Sequence, residues 1–244
     1  FQAMHLPRKK ITLDEICEWT PKVKEKNPNF QMGFSFVVTW KGALRDDTKV
    51  VENIHEIRSA AERAKKYQFD YISVKPFLVR AEENGSEVMN PDQAEGSLDQ
   101  VVRRIRQAVE EARQLESDSF RVIESTNLRV LEQRTWKEYT KQTKNCHMQH
   151  FRQVLTPHGV FNCPVYRSVV HARIADRKGY LNPETIGKTQ DAAADLIDGF
   201  DASCECKEVT CLYHGANWWL EELIKNPEKV NDLSPTESRG DYYL

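Results

Sequence analysis

The chain has 244 residues, of which 39% are hydrophobic and 30% are charged, with a formal net charge of -2. These values are typical of a globular protein with a sizeable core, either one large domain or one domain with a small appended module. The near balance of 35 basic and 37 acidic residues gives no overall attraction to nucleic acid or anionic lipid. No stretch approaches the roughly 20 apolar residues of a membrane span, and no secretory signal opens the chain. We therefore expect a cytoplasmic protein without a membrane or nucleic-acid partner.

Residues 12–125 alternate between helical and strand-like patterns. Thr12-Leu-Asp-Glu15 has the pattern of a capping box at the start of a helix. The run over 31–39 is apolar enough to predict a buried parallel strand. In chain order the predicted elements are a helix over 12–27, a strand over 31–39, a helix over 51–67, a strand over 69–78, a loop over 79–97, a helix over 98–115 and a strand over 120–125.

The alternation of strands and helices predicts a parallel sheet covered by helices, as an open sheet or a segment of a barrel. Ligands of such sheets bind at the carboxyl ends of the strands. Thr39, Lys75 and Ser125 occupy those ends here, which makes them candidate cofactor-binding residues. Lys75 interrupts an apolar run, so its ammonium must reach a ligand, a partner or the solvent at the sheet rim.

The second part of the chain has a different character. Residues 128–145 are polar and fit a helix or a linker, and residues 152–163 alternate around a Pro-His-Gly turn that is typical of a β-hairpin. The hairpin is expected to continue over 165–174. Helices are predicted over 191–200 and 217–225, the second containing Trp218 and Trp219 as expected core residues, before a frayed tail. The predicted domains are 1–130, 131–225 and a tail over 226–244.

Five of the six cysteines are crowded into the second part, at Cys146, Cys163, Cys204, Cys206 and Cys211. In a reducing compartment, clustered cysteines more often bind metal than form disulfides. Zinc and an iron-sulfur cluster both accept four thiolates. A zinc ribbon normally has two tight Cys-x2-Cys pairs, whereas here the first pair is spread across a hairpin. The spacing therefore suits a larger cluster better than one zinc ion.

The chain resembles the C-terminal part of radical S-adenosylmethionine enzymes that carry a SPASM or twitch extension. The resemblance covers most of the chain. It rests on Cys146 through Pro-His-Gly159 to Cys163 and the later cysteines, together with the strands Phe34-Ser-Phe-Val-Val-Thr39 and Tyr71-Ile-Ser-Val-Lys-Pro-Phe77. In that family, such a hairpin and a downstream cysteine knuckle hold an auxiliary 4Fe-4S cluster. The spacing departs from the family pattern, because three residues separate Gly159 from Cys163 where the family usually has four, and the knuckle opens Cys-x-Cys.

The resemblance implies an α/β fold: the later half of a partial (β/α)6 barrel over 1–130, followed by a small α+β SPASM/twitch-like metal module with a β-hairpin. It implies a single 4Fe-4S cluster on four of the five clustered cysteines, which the sequence alone does not rank. The implied function is modification of a peptide or small metabolite by hydrogen abstraction, with the cluster binding substrate or transferring an electron. Thr39, Lys75 and Ser125 would then face S-adenosylmethionine or the substrate.

The Cys-x3-Cys-x2-Cys loop that cleaves S-adenosylmethionine in this family is absent from these 244 residues. We therefore expect a fragment of a longer protein, inactive alone, whose N-terminal half or a partner chain supplies that loop. The resemblance also implies an electron donor such as flavodoxin or ferredoxin. The alternative hypothesis is a non-catalytic binding module whose cysteines hold structural zinc.

Overall fold

The computed structural model describes residues 9–41, 51–89, 91 and 98–234. The chain forms two compact units, one comprising Phe1–Phe77 and Pro91–Glu132 and the other Leu78–Asn90 and Gln133–Leu244. Helices and strands occur in both units, so the mixed α/β class is confirmed. The described strands form three small sheets and no closed barrel.

The helices and strands are numbered here in chain order. The α-helices are α1 Leu13–Cys17, α2 Trp19–Lys26, α3 Ile57–Lys66, α4 Leu98–Arg113, α5 Thr126–Gln133, α6 Pro183–Gly199, α7 Ala202–Glu205 and α8 His214–Lys225. The strands are β1 Gly33–Val38, β2 Tyr71–Pro76, β3 Val79–Arg80, β4 Glu87–Val88, β5 Arg121–Glu124, β6 Val154–Thr156, β7 Gly159–Phe161 and β8 Arg173–Ala175. Short 3-10 helices lie between several of them, including Glu138–Thr140, His147–His150 and Pro164–Tyr166.

The first unit begins with the predicted capping box. The Thr12 hydroxyl accepts a hydrogen bond from the Glu15 backbone N–H, and the Glu15 carboxylate accepts one from the Thr12 N–H, which satisfies two of the free donors at the start of α1. The helix is interrupted at Glu18 and continues as α2. The end predicted near Asn27 is confirmed, because Asn27 caps α2.

A three-stranded parallel sheet of order β1-β2-β5 organises the first unit. Helices α3 and α4 pack against the sheet and against each other. The apolar residues that predicted these two helices are buried except for Ala108, which is half-buried. The buried ones are Ile54, Ile57, Ala60, Ala61, Ala64, Val101, Val102, Ile105, Val109 and Ala112. The predicted strand–helix–strand arrangement is thus confirmed for this sheet.

Strand β1 does not have the burial predicted for it. Among the described strands it pairs only with β2, so it lies at the edge of this sheet, and its side chains alternate in exposure, with Val37 47% exposed. At its start, Gly33 lies beneath the Tyr71 ring, whose Cζ is 2.0 Å from where a Cβ on Gly33 would stand. A side chain at position 33 would therefore displace that ring.

The second unit contains the predicted hairpin, formed by β6 and β7, and β8 adds a third antiparallel strand. Gly159 opens β7 with φ +137°, a conformation that L side chains rarely adopt. A Cβ there would also stand 2.4 Å from the Ala175 carbonyl oxygen of β8. A glycine is therefore required where the hairpin meets its third strand.

Three expectations for this unit need correction or qualification. The helix predicted over 191–200 is the last part of α6, which begins at Pro183. The expected burial of the tryptophan pair is wrong, since Trp218 is 45% and Trp219 49% exposed. The predicted loop contains the short β3–β4 hairpin, which belongs to this unit, while residues 90 and 92–97 lie outside the described part.

The frayed tail also lies partly outside the described residues, which end at position 234. Before that point, Pro227–Asp232 form a 3-10 helix. Across the described ranges, no helix has the length and apolar character needed to cross a membrane.

Candidate metal centre

All five clustered cysteines belong to the second unit, and four of them lie near one another. Burial raises the pKa of Cys146, and the neighbouring Cys163 adds to the rise. Burial likewise raises the pKa of Cys206, to which Cys163, Cys211 and Cys146 contribute. All four thiols are free. Two chain segments separated by about forty residues thus place Cys146, Cys163, Cys206 and Cys211 within electrostatic reach of one another.

Cys146 is held where the 3-10 helix His147–His150 begins. Its Sγ lies 3.8 Å from the Nδ2 of Asn217, a buried residue of α8. The Asn217 Oδ1 accepts a hydrogen bond of 3.2 Å from the Met148 N–H. The Gln149 N–H and the Asn217 amide both lower the pKa of Cys146, opposing the effect of burial. Asn217 therefore connects α8 to the Cys146 segment.

Cys163 follows β7 and is only 8% exposed. It packs in an apolar cluster with Tyr166 and Ala172, against which Cys206 also lies. Nη2 of Arg152 donates to its Sγ at 3.6 Å. This cysteine is therefore both shielded by apolar groups and in contact with a cation.

Cys206 caps the short helix α7, and its Sγ is 3.7 Å from the Tyr166 hydroxyl. That hydroxyl donates its one proton to the Glu205 carbonyl at 2.7 Å, a far better acceptor at a far better distance. The Asn84 amide lies 3.4 Å from the same hydroxyl and 2.8 Å from the same carbonyl. Tyr166 therefore fixes the end of α7, and its contact with the thiol is secondary.

Cys211 occupies the turn before α8. Burial raises its pKa to about 11, while the Tyr213 N–H and the Arg152 charge act in the opposite direction. Its backbone N–H donates to the Tyr139 carbonyl at 3.2 Å, and its carbonyl accepts from the His214 N–H at 3.0 Å. These bonds tie the turn to the start of α8 and to the polar segment that precedes Cys146.

Cys204 lies outside this group. Its side chain is exposed, and its Sγ is 3.9 Å from the Ser203 hydroxyl. Cys204 lies within α7, whereas Cys206 is the residue that caps its C-terminal end. Cys206, the less exposed of the two, is the one that lies near the other thiols.

Four cysteines are a donor set that zinc and an iron-sulfur cluster both accept. In the part of the chain that the structure describes, no three His, Cys, Asp or Glu side chains are close enough to hold one metal ion. Zinc needs its four ligands at about 2.3 Å from one centre. A 4Fe-4S cluster binds each thiolate on a different iron atom, so its ligands stand further apart. The four free thiols supply the number and type of ligands that such a cluster uses.

The three candidate cofactor-binding residues follow or end the strands of the parallel sheet. The Thr39 hydroxyl donates to the Val51 carbonyl at 2.6 Å. The buried Ser125 hydroxyl accepts from the Leu128 N–H at 3.2 Å and caps α5. Lys75 is half-buried in β2, in register with the exposed Val37 of the edge strand. The hydroxyls of Thr39 and Ser125 thus already have protein partners.

Sequence reasoning missed Arg152, Asn217 and Tyr213, which surround the thiols. None of these side chains is a common metal ligand, so the spacing of the cysteines gave no signal for them. The burial of Asn217, on a helix otherwise rich in exposed side chains, is the feature that only the structure supplies.

Comparison with known proteins gave no match: no family model, curated protein or solved structure is detectably similar to this chain.

Proposed function

We propose that this chain is the C-terminal portion of a radical S-adenosylmethionine enzyme, and that Cys146, Cys163, Cys206 and Cys211 hold one auxiliary 4Fe-4S cluster. The observation that supports this is the convergence of four free thiols from two distant segments, with mutual effects on their pKa values. The cluster would supply one-electron chemistry to the substrate radical. Cys204 is left out of the proposed ligand set because its side chain is exposed.

The proposed ligand set also favours one of the two roles that the resemblance implied. Four thiolates occupy all four irons of such a cluster, which leaves no iron open for substrate. The chain's residues would then shield the centre and hold it for electron transfer. Cys163 contributes most to the shielding, since it is almost fully buried among apolar side chains.

In the first unit, the proposal makes the parallel sheet the later half of a partial (β/α)6 barrel. Lys75 would present its ammonium to S-adenosylmethionine or to a peptide or small-metabolite substrate. Thr39 and Ser125 would act by keeping the ends of β1 and β5 in place, through the hydrogen bonds that they make to Val51 and Leu128. Radical initiation requires the Cys-x3-Cys-x2-Cys loop that these residues lack, so the proposal assigns none of it to this chain.

The proposal is tested by anaerobic reconstitution of the full chain with iron and sulfide, followed by metal analysis and electron paramagnetic resonance of the dithionite-reduced protein. We expect about four irons and four sulfides per chain. The Cys163→Ala and Cys206→Ala variants should lose most of this iron. Cys204→Ala is the matched control, because it removes a thiol two residues from Cys206, and it should keep the full content.

Two results would overturn parts of this proposal. Stoichiometric zinc without iron would replace it by the zinc-stabilised binding module. Loss of iron in the Cys204→Ala variant, with retention in Cys206→Ala, would keep a cluster but refute the assigned ligands.

A further inference from the structure

Arg152 lies between the Cys146 segment and the hairpin, two residues before β6 begins. Its guanidinium donates to the Cys163 Sγ at 3.6 Å and stands over the Tyr213 ring, 3.9 Å from the ring centroid. The side chain is half-buried. Stacking on an aromatic ring holds a guanidinium in place and offsets part of its desolvation. The cation is thus fixed beside one thiol.

The same cation acts on two further thiols. Cys146 and Cys211 also lie within electrostatic reach of its charge. Arg152 therefore interacts with cysteines from both segments of the proposed ligand set. Asn217 donates to Cys146 as a neutral group, so Arg152 supplies the positive charge in these contacts with the thiols.

A fixed charge of this kind has a defined effect on a redox centre. Taking up one electron makes a cluster and its thiolates more negative by one unit. A nearby cation in a poorly solvated site stabilises the reduced state more than the oxidised state. Net charge and hydrogen bonds to sulfur are among the factors that set the potentials of iron-sulfur centres.

We propose that Arg152, positioned by Tyr213, raises the reduction potential of the centre held by Cys146, Cys163, Cys206 and Cys211. This inference rests on the proposed function, because it requires that the four thiols hold an iron-sulfur cluster. In this proposal Arg152 is not a ligand of the cluster, and it acts on electron transfer through its positive charge.

The test is a redox titration of the reconstituted full chain with dithionite and mediators, followed by electron paramagnetic resonance. At the wild-type midpoint, we expect Arg152→Gln to lower the ratio of reduced to oxidised centre about tenfold, equivalent to about 59 mV for one electron. Arg152→Lys keeps the charge and should stay within about threefold of the wild type. Arg177→Gln removes an exposed arginine of the same unit and should titrate as the wild type does.

The outcomes separate this inference from the proposed function. A wild-type chain that binds no iron refutes the proposed function. An Arg152→Gln variant with full iron content and the wild-type midpoint refutes the inference alone. If the Gln variant does not bind iron, Arg152→Lys decides: a midpoint within about threefold of wild type supports the role of charge, and a tenfold fall overturns it.

Discussion

Asn217 connects helix α8 to Cys146 by two different contacts of one side chain. Its Nδ2 lies 3.8 Å from the Cys146 Sγ, and its Oδ1 accepts a hydrogen bond from the Met148 N–H. The residue is 1% exposed. A buried amide with both ends engaged fixes the distance between the two segments that it joins, because neither end has water as an alternative partner.

Replacing Asn217 by Leu keeps the side-chain volume and removes both contacts. The partly buried Met148 N–H then loses its acceptor, so we expect the free energy of unfolding to fall by about 1–3 kcal/mol. Urea unfolding followed by circular dichroism measures this loss. Asn226→Leu is the matched control, since the Asn226 amide bonds only to Glu222 at the end of the same helix, and its effect should stay within about 0.5 kcal/mol. Equal losses in the two variants would contradict a linking role for Asn217.

Replacement by alanine should have opposite effects on stability at Gly159 and at Gly187. Gly159 has φ +137° and no room for a Cβ against the Ala175 carbonyl oxygen, so Gly159→Ala should destabilise the protein by about 1–3 kcal/mol. Gly187 lies inside α6, and a Cβ added there would meet nothing within 4 Å. Gly187→Ala should therefore stabilise by about 0.5–1 kcal/mol.

Thermal unfolding should show a lower melting temperature for Gly159→Ala and a higher one for Gly187→Ala than for the wild type. In the reconstituted protein, Gly159→Ala should also lower the iron content, because the hairpin that leads to Cys163 is distorted, whereas Gly187→Ala should leave it unchanged. A stable Gly159→Ala variant would show that the turn does not need its glycine.

Features that depend only on residues close together in the sequence could be predicted from it. The Thr12–Glu15 capping box and the apolar stripes of α3 and α4 follow from local spacing and were confirmed. The burial of β1 was wrong because it depends on strand order, and an edge strand has the same local sequence as a central one. The two-residue strands β3 and β4 are too short to show any periodicity.

The candidate site shows the same division. The crowding of cysteines was visible in the sequence, but the difference in exposure between Cys204 and Cys206 was not, because it depends on tertiary packing. Trp218 and Trp219 are neighbours on α8, about 100° apart around the helix. Both were expected in the core, but Trp218 lies at the surface, where its Nε1–H donates to the Lys141 carbonyl at 2.8 Å.

The stabilities of Ser125→Ala and Lys75→Met should distinguish a structural residue, Ser125, from one proposed to face a ligand, Lys75. Ser125→Ala removes the bond from its hydroxyl to the Leu128 N–H, and loss of such a cap costs about 1 kcal/mol. Lys75→Met keeps the stem and removes only the ammonium, so it should not lower stability by more than about 0.5 kcal/mol. Urea unfolding of the two variants gives both values. A large loss for Lys75→Met would make the ammonium a structural group and weaken its proposed role at the strand ends.

We expect the stability of the first unit to depend on pH because the pKa of Glu132 is raised in the folded state. Burial raises the pKa of this carboxyl, the neighbouring Glu124 raises it further, and Arg106 opposes both. Only Oε2 is in contact with Arg106, at 3.2 Å, while the buried Oε1 has no partner. The folded state therefore binds the Glu132 proton more tightly than the unfolded state, in which the pKa of this carboxyl is near 4.5.

Stability from this group is fully present below the unfolded pKa and is lost as the pH rises through the raised, folded pKa. Glu132→Gln keeps a group that can accept from Arg106 and removes the titration. The free energy of unfolding, measured with urea from about pH 4 to about pH 7, should therefore fall less steeply in Glu132→Gln than in the wild type. Glu62→Gln, at an exposed carboxyl paired with Arg58, controls for a general change of charge and should keep the wild-type slope. Identical slopes in all three proteins would show that Glu132 ionises in the folded state as freely as in the unfolded chain.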